Sequence, residues 1–391
     1  MEIFTPFARS LCVNTLQKCE HGLLIIHDQN NTYHFGDLTQ DSVTITVQNP
    51  RFWRRILLGG NVGLAESYID QDWSTNNLSG LISFFAKNVS ALAGKNHGHP
   101  MRTLSHHALH AWRQNTRRGS KNNIMAHYDL GNEFYQLWLD PSMTYSSALY
   151  DNDDCLVNGQ QRKYARLAQI MDLSSDKHVL EVGCGWGGFA KFAATEIGAN
   201  VTAVTISPSQ YAYAAQKLQE MGLQDKISLK LTDYRDLDGS FDAIASIEMF
   251  EAVGERYWPV YFSKLFDRLK PGGRAGLQII TIGDDHFENY RKSVDFIQRH
   301  VFPGGMLPSI AALKREANRS GLIWQGEKGF GIDYARTLSQ WRSRFEDKWD
   351  EIQKLGFDDK FYRFWTYYLC YCEGGFRAGN IDVHQIALSK N

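Results

Sequence analysis

From Lys177 onward the chain alternates short apolar runs with segments of helical spacing. "HVLEVG" predicts a strand, "GFAKFAATEIG" a helix ending at Gly198, "NVTAVTI" a second strand and "SPSQYAYAAQKLQEMG" a second helix. That second helix has both ends marked. Ser207 serves as the N-cap, Pro208 fits the first helical position, and Gly222 lies beyond the last turn. "KISLKL" and "FDAIASI" predict two more strands, followed by a helix over roughly 257–269, a "KPGG" turn and the strand "RAGLQIITI". Strands alternating with crossover helices imply an α/β fold with a doubly wound parallel sheet, which binds ligands at the carboxyl ends of its strands.

Residues 1–90 read differently. Short β-like runs ("GLLIIH", "TYHFG", "SVTITVQ") precede a helical segment that starts at "NPRFWRRILLGG", and together they predict a smaller, mainly helical α+β N-terminal domain. A His-rich stretch over 91–122, broken by Gly98 and Pro100, reads as a basic linker, leaving 123–391 as the catalytic domain. With 391 residues, 43% of them hydrophobic, two domains are expected.

Net charge is −1, yet no acidic residue occurs between Asp72 and Asp129, a stretch that carries Lys87, Lys95, Arg102, Arg113, Arg117, Arg118 and Lys121. Such a run suits anionic headgroups, each basic residue contributing about 1 kcal/mol, or a solvated linker. No signal peptide and no run of about 18 apolar residues is present, so the protein is expected to be soluble or to touch membranes from one side only. Six cysteines without paired CxxC knuckles suggest a reducing compartment and give no metal site; Cys370 and Cys372 are expected as buried thiols.

The candidate chemistry starts at "VLEVGCGWGGFAKFAA". Gly183, Gly185 and Gly188 fit G-x-G-x-x-G between a strand and a helix, but no lysine or Ser/Thr pair is placed for a triphosphate. A dinucleotide would require an acidic ribose contact about 20 residues further on. The second strand instead ends in Thr205, Ile206 and Ser207. Asp233, in "TDYRDL" beyond the third strand, is placed to accept a hydrogen bond from an adenine amino group. The bland alternative is a tight βα turn with no ligand. Together these features resemble the class I S-adenosylmethionine-dependent methyltransferases, whose cofactor has a ribose and an adenine but no phosphate.

A closer resemblance follows from "HYDLGNEFYQLWLDPSMTYSSALY", "SIEMFEAVGERYWPVYF", "RHVFPGGMLPS", "DYARTLSQWRSRF" and "CEGGFRAGNIDVHQIALSK". In order, these blocks resemble the cyclopropane fatty acid synthase family, and "GLAESYIDQDWSTNNL" resembles that family's lipid-binding domain. The resemblance implies methylene transfer from S-adenosylmethionine to the cis double bond of an unsaturated acyl chain in a membrane phospholipid. Position by position, it implies cofactor contacts at Tyr145, Ser146, Gly183, Gly185, Thr205, Ile206, Gln210, Asp233 and Tyr234. It also implies a bicarbonate general base held by Glu251, Tyr334, Ser147 and the backbone of Ile282, with Cys372 near the pocket. An alkene is a poor nucleophile, so alignment and water exclusion are needed, and aromatic faces stabilise the resulting cation by about 0.5 to 2 kcal/mol. The blander roles are a helix cap for Glu251 and a packed ring for Tyr334.

Two departures from the family pattern bear on the base. Ser147 stands where the family usually has a cysteine, and Ile280 where it usually has a histidine. The lost imidazole removes a polar partner worth about 1.5 to 3 kcal/mol from an anion site. Glu248, three residues before Glu251, is a substitute base by spacing alone. The alternative activity is a C-methyltransferase making methyl-branched or methylene chains. A lipid-binding protein without catalysis would show a damaged glycine loop, and a nucleic-acid enzyme would carry an aromatic-and-proline base-flipping motif; neither is seen. The expected enzyme is cytoplasmic, peripheral at the inner membrane surface, and a homodimer as family members often are.

Overall fold

The three β-like runs near the N-terminus pair because each alternates buried and exposed positions. In the computed structural model, which describes residues 4–29, 31–93, 130–152 and 155–391, they follow α1 (Phe4–Leu16) as β1 (Leu23–Asp28), β2 (Asn31–Gly36) and β3 (Ser42–Val47). Helix α2 (Arg51–Ile69), kinked at Gly60, leads to β4 (Trp73–Ser74) and α3 (Leu78–Lys87). Strand order in this sheet is β2-β1-β3-β4. The region has more helix than strand, as the spacing predicts. Most of the basic stretch, and with it nearly all of the expected linker, lies outside the described residues.

The runs after Lys177 form one seven-stranded sheet. Its members are β5 (His178–Val182), β6 (Asn200–Thr205), β7 (Ile227–Leu231), β8 (Phe241–Ile247), β9 (Leu269–Ile282), β10 (Ile323–Gly329) and β11 (Ile381–Ser389), in the order β10-β11-β9-β8-β5-β6-β7. Strands β5 to β9 pair in parallel, and β11 runs antiparallel between β9 and β10. The central strands are buried almost throughout, as a sheet covered on both faces requires. Most sequence boundaries hold to within a residue or two. The "KPGG" turn is an exception: Phe241 pairs with Leu269 and Ala243 with Arg274, so the four residues between bulge out within β9.

Four helices place the site: α4 (Leu156–Ile170), α5 (Pro208–Glu220), α6 (Gly331–Asp347) and α7 (Asp359–Ala378). Helix α5 begins as expected, with the Ser207 hydroxyl accepting the Gln210 N–H at 3.3 Å. Cys370 and Cys372 are both free thiols on α7, the first buried and the second half-buried.

One hydrophobic core joins the N-terminal helices to α6 and α7. Helix α3 crosses α7 at Gly374, where a Cβ would stand 2.7 Å from Ile82 Cβ and 2.8 Å from the Ser79 carbonyl oxygen. Gly374→Leu is therefore expected to push the helices apart and cost about 1–3 kcal/mol, read as a lowered Tm. An unchanged melting curve would show that this contact does not hold the two regions together.

Candidate active site

Strand β5 delivers the chain into its glycine turn at the carboxyl edge of the sheet. Gly183 (φ 81°) and Gly185 (φ 53°) both take left-handed backbone, which glycine adopts without steric cost. The N–H groups of Gly183 and Cys184 both donate to the Val204 carbonyl, at 3.0 and 2.9 Å, which pins the turn to β6. A Cβ on Gly183 would stand 2.6 Å from Met249 Cγ, while one on Gly185 would enter open space. A ligand can therefore approach the backbone at Gly185.

Beyond the turn, the Thr205 hydroxyl donates to Gln210 Oε1 at 2.9 Å, and the Gln210 amide nitrogen has no protein partner among the described residues. The Asp233 carboxylate is clasped by Arg235, with Nε to Oδ1 at 2.9 Å and Nη2 to Oδ2 at 2.6 Å. These groups line a cavity of about 760 Å³, within the usual range for ligand sites. Its apolar walls include Leu64 of α2, Ile82 and Phe85 of α3, Val89, and Tyr367 and Tyr371 of α7. An uncharged nucleoside with a thioether or sulfonium arm fits this donor set.

The polar end of the cavity is built from four distant segments. Glu248 follows β8 in left-handed backbone (φ 50°), unusual for a residue with a side chain. Its Oε1 accepts the Ser147 N–H at 2.9 Å and the Gln278 amide at 2.8 Å, and its Oε2 accepts the Tyr334 hydroxyl at 2.6 Å. Gln385 secures Gln278 from behind, its amide 3.1 Å from Gln278 Oε1. Tyr334 stacks on Phe376 with ring centroids 4.6 Å apart. Lys163 of α4, fully buried, donates to the Ser146 hydroxyl at 2.7 Å. Burial pulls its ammonium down to about 7 against the opposing pull of Glu248, Asp140 and Glu181.

Glu251 lies in a short turn and accepts the Ile280 N–H at 2.5 Å, so it is not a helix cap. Its other oxygen is buried and unpartnered among the described residues. Burial, then the neighbouring Glu248, pushes Glu251 up to about 8. Glu248 is also raised by burial, but its three donors and Lys163 oppose that.

Glu181, behind the glycine turn, is likewise pushed up to about 8 by burial. Both carboxyls bind a proton more tightly in the folded chain than in the unfolded one. Their contribution to stability is complete at low pH and lost as pH rises through the folded values. Lys163 acts in the opposite sense above about pH 7. Tm is thus expected to fall between about pH 5 and 7, and Glu251→Gln to flatten the fall. Identical pH–Tm curves for the two proteins would contradict the assignment.

All of the expected cofactor positions line this cavity: Tyr145, Ser146, Gly183, Gly185, Thr205, Ile206, Gln210, Asp233 and Tyr234. Glu251, Tyr334, Ile282 and Cys372 line it too, though the Ile282 N–H is taken by the Pro308 carbonyl at 3.0 Å. Burial raises the Cys372 thiol well above its ordinary range, which leaves it unsuited to act as a nucleophile. Ser147 is buried behind the wall: its hydroxyl donates to the Ala148 carbonyl, and only its N–H reaches Glu248. Lys163 and Gln278 were not among the expected residues. Gln278 was signalled by one amide within the apolar run "GLQIITI"; Lys163, in the polar "GQQRKYARL", gave no signal.

The sequence model of the mycolic acid cyclopropane synthetase family matches residues 115–386. Tuberculostearic acid methyltransferase UfaA1 of Mycobacterium tuberculosis is 36% identical over 344 residues, covering 86% of this chain and 80% of that protein. The cyclopropane-fatty-acyl-phospholipid synthase of Escherichia coli K12 is 35% identical over 348 residues, covering 88% of this chain and 87% of that protein. Among solved structures, mycolic acid cyclopropane synthase CmaA1 complexed with SAH and CTAB has a TM-score of 0.65 at 29% identity, over 69% of this chain and 98% of its own.

Proposed function

Because the chain belongs to the mycolic acid cyclopropane synthetase family, and is thereby an S-adenosylmethionine-dependent enzyme of unsaturated acyl chains, we propose that it closes a cyclopropane ring on acyl chains of membrane phospholipid. The observation that carries this reading is a single cavity that joins a glycine turn, apolar walls from α2 and α3, and the polar cluster around Glu248 and Glu251.

In this reading, Gly183 and Gly185 admit the cofactor to the backbone, Gln210 and Asp233 orient its polar edges, and Tyr145 and Ser146 close over it. Bound there, S-adenosylmethionine supplies an electrophilic methyl group. Leu64, Ile82 and Phe85 receive the acyl chain and exclude water, which holds the olefin in line and suppresses hydrolysis. Tyr145 and Tyr368, whose hydroxyls are 2.7 Å apart, present aromatic surface beside the cavity. Aromatic faces of this kind stabilise a developing carbocation by about 0.5 to 2 kcal/mol each.

Residues up to about 90 form the lipid-facing unit in this account, and the acid-free stretch between Asp72 and Asp129 supplies charge for anionic headgroups. The contact in this reading is peripheral, at a cytoplasmic face; no helix among the described residues is long and apolar enough to cross a membrane. A homodimer would let one copy anchor while the other acts.

The test is incubation with methyl-labelled S-adenosylmethionine and phosphatidylglycerol liposomes carrying either oleoyl or only palmitoyl chains. Label is expected in the acyl fraction of oleoyl liposomes alone; label in the headgroup, or in both lipids, would contradict the reading. A second reading, formation of a methylene or methyl-branched chain, is favoured by the similarity to a tuberculostearic acid methyltransferase.

A further inference from the structure

Ring closure requires a base at the methyl group once that group has reached the acyl chain. In the cavity, three donors converge on one point: the Ser147 N–H, the Gln278 amide and the Tyr334 hydroxyl. Donors converging in this way make a site for an anion, and the anion they hold is part of the chain. Glu248 reaches them only because its backbone turns left-handed at the end of β8. We infer that Glu248 is the catalytic base of this enzyme, built into the fold, and that no bound bicarbonate is needed. The inference rests on the one-carbon transfer proposed above and assigns its proton-transfer step.

Glu251 is the competing candidate, and its surroundings argue against it. It has one donor where Glu248 has three, and its second oxygen is buried and unpartnered among the described residues. A positive charge on the buried Lys163 opposes the effect of burial on Glu248. Ile280 presents an apolar side chain to the same wall, so no other base faces Glu248 from β9.

The olefin π pair forms a bond to the methyl carbon while the carbon–sulfur bond breaks and its pair goes to sulfur. A cation remains on the neighbouring acyl carbon. Glu248 then takes a proton from the new methyl, and the released C–H pair bonds to the cationic carbon to close the ring. The proton leaves to water after product release. If a hydride first migrates to the cationic carbon from the methyl-bearing one, the same base removes a methyl proton, the released C–H pair forms a double bond to the methyl-bearing carbon, and the product is a methylene-branched chain. Glu248 therefore serves both readings of the product.

The test uses the full chain, oleoyl phosphatidylglycerol liposomes and labelled S-adenosylmethionine in buffer purged of carbon dioxide. The wild-type rate is expected to stay the same when bicarbonate is added. Glu248→Gln is expected to bind S-adenosylmethionine within about threefold of wild type by calorimetry, and to lose about 100-fold or more in product rate. Glu248→Gly, which relieves the left-handed strain and empties the donor site, is expected to be inactive until formate or bicarbonate is added. A wild-type enzyme that requires bicarbonate, an active Glu248→Gln, or a Glu248→Gly variant that binds cofactor and shows no rescue by either anion would each overturn the assignment. A wild-type protein that binds no cofactor would instead remove the underlying reading, a result distinct from all three.

Discussion

Gly183→Val is expected to abolish S-adenosylmethionine binding in a chain that still folds. A β-branched residue at φ 81° meets the steric penalty of left-handed backbone, about 1–2 kcal/mol. Its Cβ would also stand 2.6 Å from Met249 Cγ, so either Met249 or the turn must move. The turn is the costlier to move, because two of its N–H groups share the Val204 carbonyl. If the turn lifts away from β6, Gly185 no longer offers open backbone to the ligand. A combined loss of about 3 kcal/mol corresponds to roughly 100-fold in affinity or more. Calorimetry with S-adenosylmethionine, beside a thermal melt to confirm folding, gives the answer; binding within about threefold of wild type would show that the turn is not the cofactor cradle.

Tyr334→Phe is expected to slow turnover by about 10- to 100-fold with cofactor affinity unchanged. The hydroxyl donates to Glu248 Oε2 at 2.6 Å, a short charge-assisted bond. Bonds of that class are worth about 1.5–3 kcal/mol, which converts to the stated loss if the bond orients the base in the transition state. Phenylalanine keeps the ring that stacks on Phe376, so the fold should survive. Removing the donor also raises the pKa of Glu248, and the reaction needs that carboxylate ionised. The acid limb of the pH–rate profile is therefore expected to move to higher pH. A variant with unchanged kcat and profile would reduce Tyr334 to a packed ring.

The centre of the sheet was legible because strands such as β5 and β8 are buried on both faces and read as continuous apolar runs, and because Ser207, Pro208 and Gly222 mark the limits of α5. The glycine turn was legible from spacing, since backbone that must turn left-handed leaves few alternatives to glycine. The base was only half legible. Spacing drew attention to Glu248, but as a residue one helical turn from Glu251, whereas the backbone there is left-handed and Glu251 lies in a separate short turn.

Ile280 reads in the sequence as a lost polar partner, whereas Ser147 can replace the cysteine if a backbone N–H is all that is needed. In the fold, Ser147 contributes a backbone N–H that any residue other than proline would supply, and Glu248 accepts it. Residues 147, 248, 278 and 334 come from four segments, and only the packed sheet with α6 brings them together. The shared core of α3 and α7 was hidden for the same reason. Gly374 lies in a "CEGGF" stretch whose small residues signal a close approach without naming what approaches.

The central claim is that a base in this cavity takes a proton from the methyl group after it reaches the acyl chain. Incubating the wild-type protein with oleoyl liposomes and trideuteriomethyl S-adenosylmethionine, then weighing the released acyl chains by mass spectrometry, tests that claim most directly. The account predicts a product that retains two of the three deuterons, with the third lost to solvent. Product chains that carry all three deuterons would mean that no base removes a methyl proton, and would contradict it.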